Sequence, residues 1–164
     1  MSFTDALSHT LIGAILHDCD HNRESIFMAT AGYSGKPLWS KLGWRAGMRV
    51  LCIDAPDDYA DLLGDLPDDT QIVIKAAKPH AAVHLFCTSR AMLQKHLQRL
   101  RQELAQDGML WVSWPKKTSG VVSDLNDNVI RDVALPLGFV DIKVCAVSEV
   151  WSGLKLVIRK SERE

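Results

Sequence analysis

Apolar residues occur along this chain in two rhythms. Short, nearly continuous apolar runs appear at "MRVLCIDAP" (48–56), "TQIVIKA" (70–76), "AAVHLFC" (81–87) and "MLWVSW" (109–114), set off by Gly, Pro or charged residues. Runs of this length and composition predict strands covered on both faces. Between the last two, "TSRAMLQKHLQRLRQELAQ" repeats Leu93, Leu97, Leu100 and Leu104. That spacing predicts a helix with one apolar stripe, capped at its start by Thr88 or Ser89 and ending before Gly108. A second helix is expected in "DLNDNVIRDVALPLGF", capped by Ser123 or Asp124, carrying Val129, Val133 and Leu137 on one side and stopped near Pro136. Two short helices complete the set, one over residues 36–43 with Pro37 in its first turn and Gly43 at its end, the other opened by Asp57 and Asp58 in "DDYADLLGD". After residue 140 the rhythm becomes strict alternation. Ile142, Val144 and Ala146 alternate with Lys143, Cys145 and Val147, then Leu154, Leu156 and Ile158 with Lys155, Val157 and Arg159. This predicts an antiparallel hairpin turning at "EVWSG".

The first 27 residues have another texture, an apolar patch at 6–16 and then the polar run "HDCDHNRES". They are expected to form an N-terminal extension, read as a disordered tail, ahead of a single domain at 28–164. His17, Cys19 and His21 alternate, but with no further clustered ligands a solvated tail is expected rather than a metal site.

Strands alternating with helices predict an α/β fold, a Rossmann-like, mostly parallel sheet with helices on both faces and a C-terminal antiparallel hairpin. The order of elements resembles a methyltransferase domain shortened by one βα unit. The stretches "AGYSGKPLWSKLG", "MRVLCIDAP", "VHLFCTSR", "LWVSWPKKTSG" and "VALPLGFVDIKVCAVSEVWSGLKLVIRK" resemble the bacterial domain of unknown function 3052 family over about residues 31–160. That resemblance implies a compact domain and carries no catalytic residue with it.

Composition narrows the function classes. With 164 residues, 19 basic against 20 acidic and a net charge of -1, the chain has no global pull toward nucleic acid or anionic membrane. Arg90, Lys95, Arg99 and Arg101 are interrupted by Glu103 and Asp107, as on a solvated helix face rather than a groove reader. No apolar run reaches the ~20 residues of a membrane helix. No export signature opens the chain, and Cys19, Cys52, Cys87 and Cys145 show no paired spacing, so a cytoplasmic protein with reduced cysteines is expected.

Chemistry is harder to place. A methyl-donor site would use a glycine-rich first βα turn, but here that turn is "DAPDDY", with Asp54 alone in an acidic position, and the second strand ends in "KAAK" without a ribose-binding acid. His80 and His84, four apart in a strand, would lie about 13 Å from each other and cannot chelate together. Ser34 and Ser152 lack a nucleophile elbow. What remains is the rim beyond the carboxyl ends of the parallel strands. Lys116, Lys117, Thr118 and Ser119 follow one strand, Arg90 opens a helix after another, and Trp114 or Trp151 is available to cover an apolar remainder. With Gly120 turning the backbone and the "GYSGK" segment as an N-terminal cover, these residues predict a site for a small anionic ligand. The expected function is a noncatalytic or ligand-regulated binding domain. The alternatives are a small-molecule enzyme of a degenerate methyltransferase-like class, and a homo-oligomeric or partner-binding module without a pocket. No cofactor, catalytic residue or oligomeric state follows from these patterns.

Overall fold

Alternation within the apolar runs decides how the layers form. In the computed structural model, which describes residues 35–164, Val50, Cys52, Ala82, Phe86 and Trp111 pack in one core, and Leu51, Val83, Leu85, Leu110 and Val112 in another. Because successive strand side chains point to opposite faces, each strand feeds both cores at once. The strands are β1 (Arg49–Ile53), β2 (Gln71–Val73), β3 (His80–Phe86), β4 (Leu104–Pro115), β5 (Phe139–Ala146) and β6 (Trp151–Ile158). They form one sheet in the order β2-β1-β3-β4-β6-β5. β2, β1, β3 and β4 are parallel neighbours, while β6 is antiparallel to both β4 and β5. The expected terminal hairpin is present, and β5 therefore runs in the same direction as β4.

One face carries helices α1 (Leu38–Leu42) and α2 (Tyr59–Leu63), the other α3 (Arg90–Glu103) and α4 (Asp127–Ala134). The α3 stripe is fully inside: Leu93, Leu97 and Leu100 each have no exposed surface, a burial that stabilises by about 1.5–3 kcal/mol per side chain. Ser89 caps α3 by accepting from the Met92 N–H at 3.3 Å, as its position predicts. Gly43 ends α1 in the left-handed region.

Several boundaries differ from the sequence expectation. Gly108 does not end α3; the helix passes directly into β4 at Leu104, and Gly108 sits in the strand beside a register shift. A Cβ there would lie 2.9 Å from the carbonyl oxygens of Ala105 and His80, so the close backbone approach needs glycine. α4 is capped by Asn126, whose side chain accepts from Val129 N at 2.9 Å, instead of by Ser123 or Asp124. Those two are drawn into the α3 side of the rim, as described below. Asp58 stands at the start of α2 but its side chain makes no capping bond. Ile142 and Val144 are more than half exposed, because a register shift between Asp141 and Lys143 falls on this edge strand.

Residues Pro37–Glu164 pack as one unit. The expected extension at 1–27, the boundary at 28, the apolar patch at 6–16, the His17/Cys19/His21 group and the Gly32–Ser34 part of the proposed cover lie outside the described residues. Among those described, Cys52, Cys87 and Cys145 are free thiols, and no helix is long and apolar enough to cross a membrane.

Candidate functional site

The carboxyl ends of β1, β3, β4 and β5 bring four turns to one rim, and hydrogen bonding there decides which side chains stay free. After β4, Lys116 does not extend into solvent. Its ammonium donates to the Ser148 carbonyl at 2.6 Å, while its backbone N–H donates to Val150 O at 2.8 Å. Lys116 thus ties the β4 end to the β5–β6 turn. Ser148 holds the other side of that turn, its hydroxyl accepting from Val150 N and Trp151 N at 3.1 Å each. Residues Lys117–Ser119 form one 3-10 turn closed by Gly120 at φ 75°. Ser119 is used internally, donating to Lys116 O at 2.7 Å and accepting from Val121 N at 3.2 Å. Lys117 and Thr118 are exposed, and neither side chain has a partner among the described residues.

The segment after Gly120 crosses to the β3–α3 turn. Ser123 donates to Thr88 O at 2.8 Å, and the Asp124 carboxylate accepts from the Arg90 backbone N–H at 2.8 Å. The first turn of α3 therefore already holds an internal carboxylate. The Arg90 side chain is exposed and unpartnered among the described residues. Trp114 is packed against the α3/α4 core and Trp151 lies half-buried on the opposite face, edge-on to Phe86 with ring centroids 5.1 Å apart. Strand alternation separates the two indoles across the sheet, so they do not make one platform.

At the end of β1, Asp54 adopts φ 55° and its carboxylate lies 3.7 Å from His96 Nε2 on α3. Beneath the rim lies a group that the sequence reading did not assemble. Tyr59 Oη is 2.6 Å from His84 Nδ1, and His84 Nε2 is 2.7 Å from Ser113 Oγ. His84 and Ser113 have no exposed surface. A neutral imidazole donates from one nitrogen and accepts at the other, and two hydroxyls satisfy both roles. Burial holds the His84 pKa down to about 3. The same burial pushes the neighbouring Cys52 thiol up to about 12, leaving it an inert core residue. The visible signal was a polar residue inside each of two otherwise apolar runs, His84 in β3 and Ser113 in β4. Their register, two residues apart across the pair and so on the same face, comes only from the sheet. Ser113 beside an imidazole has the makings of a nucleophile and base, but with both fully enclosed no substrate atom reaches them.

A search of known proteins returned no matching family model and no matching curated sequence. Solved structures do match. A DhpI complex with SAH aligns with a TM-score of 0.50 at 13% identity, covering 93% of this chain and 99% of that one. The fold is Rossmann-like. TrmN from Thermus thermophilus gives 0.49 at 13% identity over 74% of this chain and 47% of that one. A TehB-like SAM-dependent methyltransferase from Corynebacterium glutamicum gives 0.46 at 10% identity, covering 88% and 99%. At such identities the likeness concerns the fold alone.

Proposed function

We propose that this chain is a noncatalytic, ligand-regulated binding domain on a methyltransferase-like fold, taking a small anionic group at the rim turn Lys117–Thr118. One observation carries the reading. Around that turn Lys116, Ser119, Ser123 and Asp124 are all committed to internal bonds, while the Lys117 and Thr118 head groups are left without partners among the described residues. A prebuilt turn with a free cation and hydroxyl offers charge and a directional donor at small ordering cost, whereas the Arg90 side chain lines the groove between α3 and α4 with Gln94, Gln98 and Asp132.

The fold family suggests a SAM-type cofactor, and the residues present do not fit it. In the first βα turn Pro56 has no N–H, Asp57 and Asp58 put negative charge at the start of α2, and Asp54 faces His96. β2 is followed by Ile74 and Lys75, with no acid for a ribose. A cytoplasmic setting, and kinship with the domain of unknown function 3052 family over residues 31–160, belong to the same proposal.

The test is thermal shift of the full chain with small carboxylates such as acetate. The double substitution Lys117→Ala, Thr118→Ala is expected to leave the ligand-free Tm unchanged and to remove the ligand response. Lys116→Ala, by contrast, is expected to lower the ligand-free Tm, because it detaches Ser148. An undiminished response in the double variant would refute the rim site. Micromolar adenosylmethionine binding by calorimetry would favour the enzyme reading instead.

A further inference from the structure

A second cationic group lies away from the rim, on the sheet face beside α1. In the hairpin register Lys143 and Lys155 stand directly opposite each other, and on its other side Lys155 pairs with Trp111. Like charges in facing strand positions destabilise a sheet, so the pairing needs a reason. Lys143 has one: its ammonium donates to the Lys41 carbonyl at 2.8 Å, at the end of α1. Trp111 Nε1 takes the next carbonyl, Leu42 O, at 2.8 Å.

Lys155 has no such role. Its Nζ lies 3.6 Å from where a Cβ on Gly43 would be, just past the helix end, and it has no hydrogen bond or ion pair among the described residues. It is half-buried. Its pKa is lowered, first by burial and then by the charges of Lys143 and Arg45. An ammonium that is partly desolvated, unpaired and flanked by two cations is costly in the free protein. Such an arrangement is relieved by an anion that several of these groups share.

We propose that Lys155, Lys143 and Arg45 form a binding site for a phosphoryl group, on the sheet face next to the C-terminal end of α1 and separate from the rim. Lys155 supplies three unused N–H donors, Lys143 two beyond its bond to Lys41 O, and the exposed Arg45 guanidinium a planar fork suited to two phosphate oxygens. A dianion fits this charge better than a single carboxylate.

The test uses the full chain carrying Lys117→Ala and Thr118→Ala, so that failure of the rim reading leaves the outcome unaffected. Pyrophosphate, inorganic phosphate and acetate are titrated at low ionic strength, with Tm and the Lys155 13Cε NMR shift followed together. Pyrophosphate or phosphate is expected to give a Tm rise that grows with the logarithm of concentration, roughly 5–10 °C at a hundredfold excess over Kd, with a Lys155 shift that saturates; acetate is expected to give neither. A response to pyrophosphate but not phosphate assigns a diphosphate ligand, and equal saturation by both a single phosphoryl group. Adding Lys155→Met is expected to raise the ligand-free Tm and abolish the response, since removing the unpaired charge relieves the free protein. Arg45→Gln, at an exposed position, is expected to keep the fold and weaken binding about tenfold. No saturable response, an equal response to acetate, or an unchanged response in Lys155→Met or Arg45→Gln would overturn the site.

Discussion

His84 shows how a single buried polar residue becomes compatible with an apolar layer. Its two nitrogens are matched by Tyr59 and Ser113, and its ring stacks on Phe86 with centroids 4.4 Å apart. Removing one hydroxyl leaves a buried nitrogen without a partner, which costs more than the bond itself contributes. Tyr59→Phe and Ser113→Ala are each expected to destabilise by about 1–3 kcal/mol in urea unfolding. The two changes are expected to be non-additive, because they act on the same ring. Additive losses, or none, would show that the imidazole carries no network. The same scale explains the two rim lysines. Adjacent in sequence and identical in type, they divide between structure and solvent because Lys116 alone meets a carbonyl 32 positions away.

Elements were the most legible part of the chain. Each core strand announced itself by an apolar run, and the leucine spacing placed α3, with Ser89 one of the two caps expected. The errors fell where local signals were ambiguous and distant partners decided. Ser123, Asp124 and Asn126 are all competent caps within four positions. Thr88 O and Arg90 N engage the first two, so α4 begins at the third. Asn126→Ala is expected to cost about 1 kcal/mol, with Ser123→Ala reporting instead on the rim loop through hydrogen exchange at Leu125. Gly108 was readable as a helix stop because glycine serves both uses; only the His80 backbone, across the sheet, distinguishes them. Gly108→Ala is expected to destabilise by about 1–3 kcal/mol through forced backbone displacement, measured as a lowered urea midpoint at unchanged slope. A neutral substitution there would mean that the β3–β4 start is looser than its geometry. The candidate site was legible only as a location. Which of its residues are free depends on bonds between turns that no local spacing encodes.

For the molecule as a whole, the buried and paired groups set a pH window. The folded His84 pKa is about 3 against an ordinary value near 6.5. The unfolded chain therefore binds a proton that the folded chain refuses, and stability falls as pH drops from about 6.5 toward 3, by at most about 1.4 kcal/mol per unit from this group. Lys78 holds the Glu103 carboxyl below its usual range, and Arg131 does the same to Asp127. Stability from those pairs is full above the ordinary carboxylate values and is lost as pH falls through the lowered ones, so it adds a second, more acidic loss. On the alkaline side Cys52, raised from 9.0 to about 12, favours the fold below pH 9 and ceases to do so progressively above it. Unfolding free energy is expected to be flattest between about pH 6.5 and 9 and to decline in two stages under acid. Replacing His84 by Gln separates the stages. The variant is expected to be less stable at pH 7 yet to lose the slope between pH 6.5 and about 4.5, while keeping the steeper decline below it. An unchanged slope in that interval would mean that His84 is charged or solvent-reached in the folded protein, and with it the sealed character of the core beneath the rim would fail.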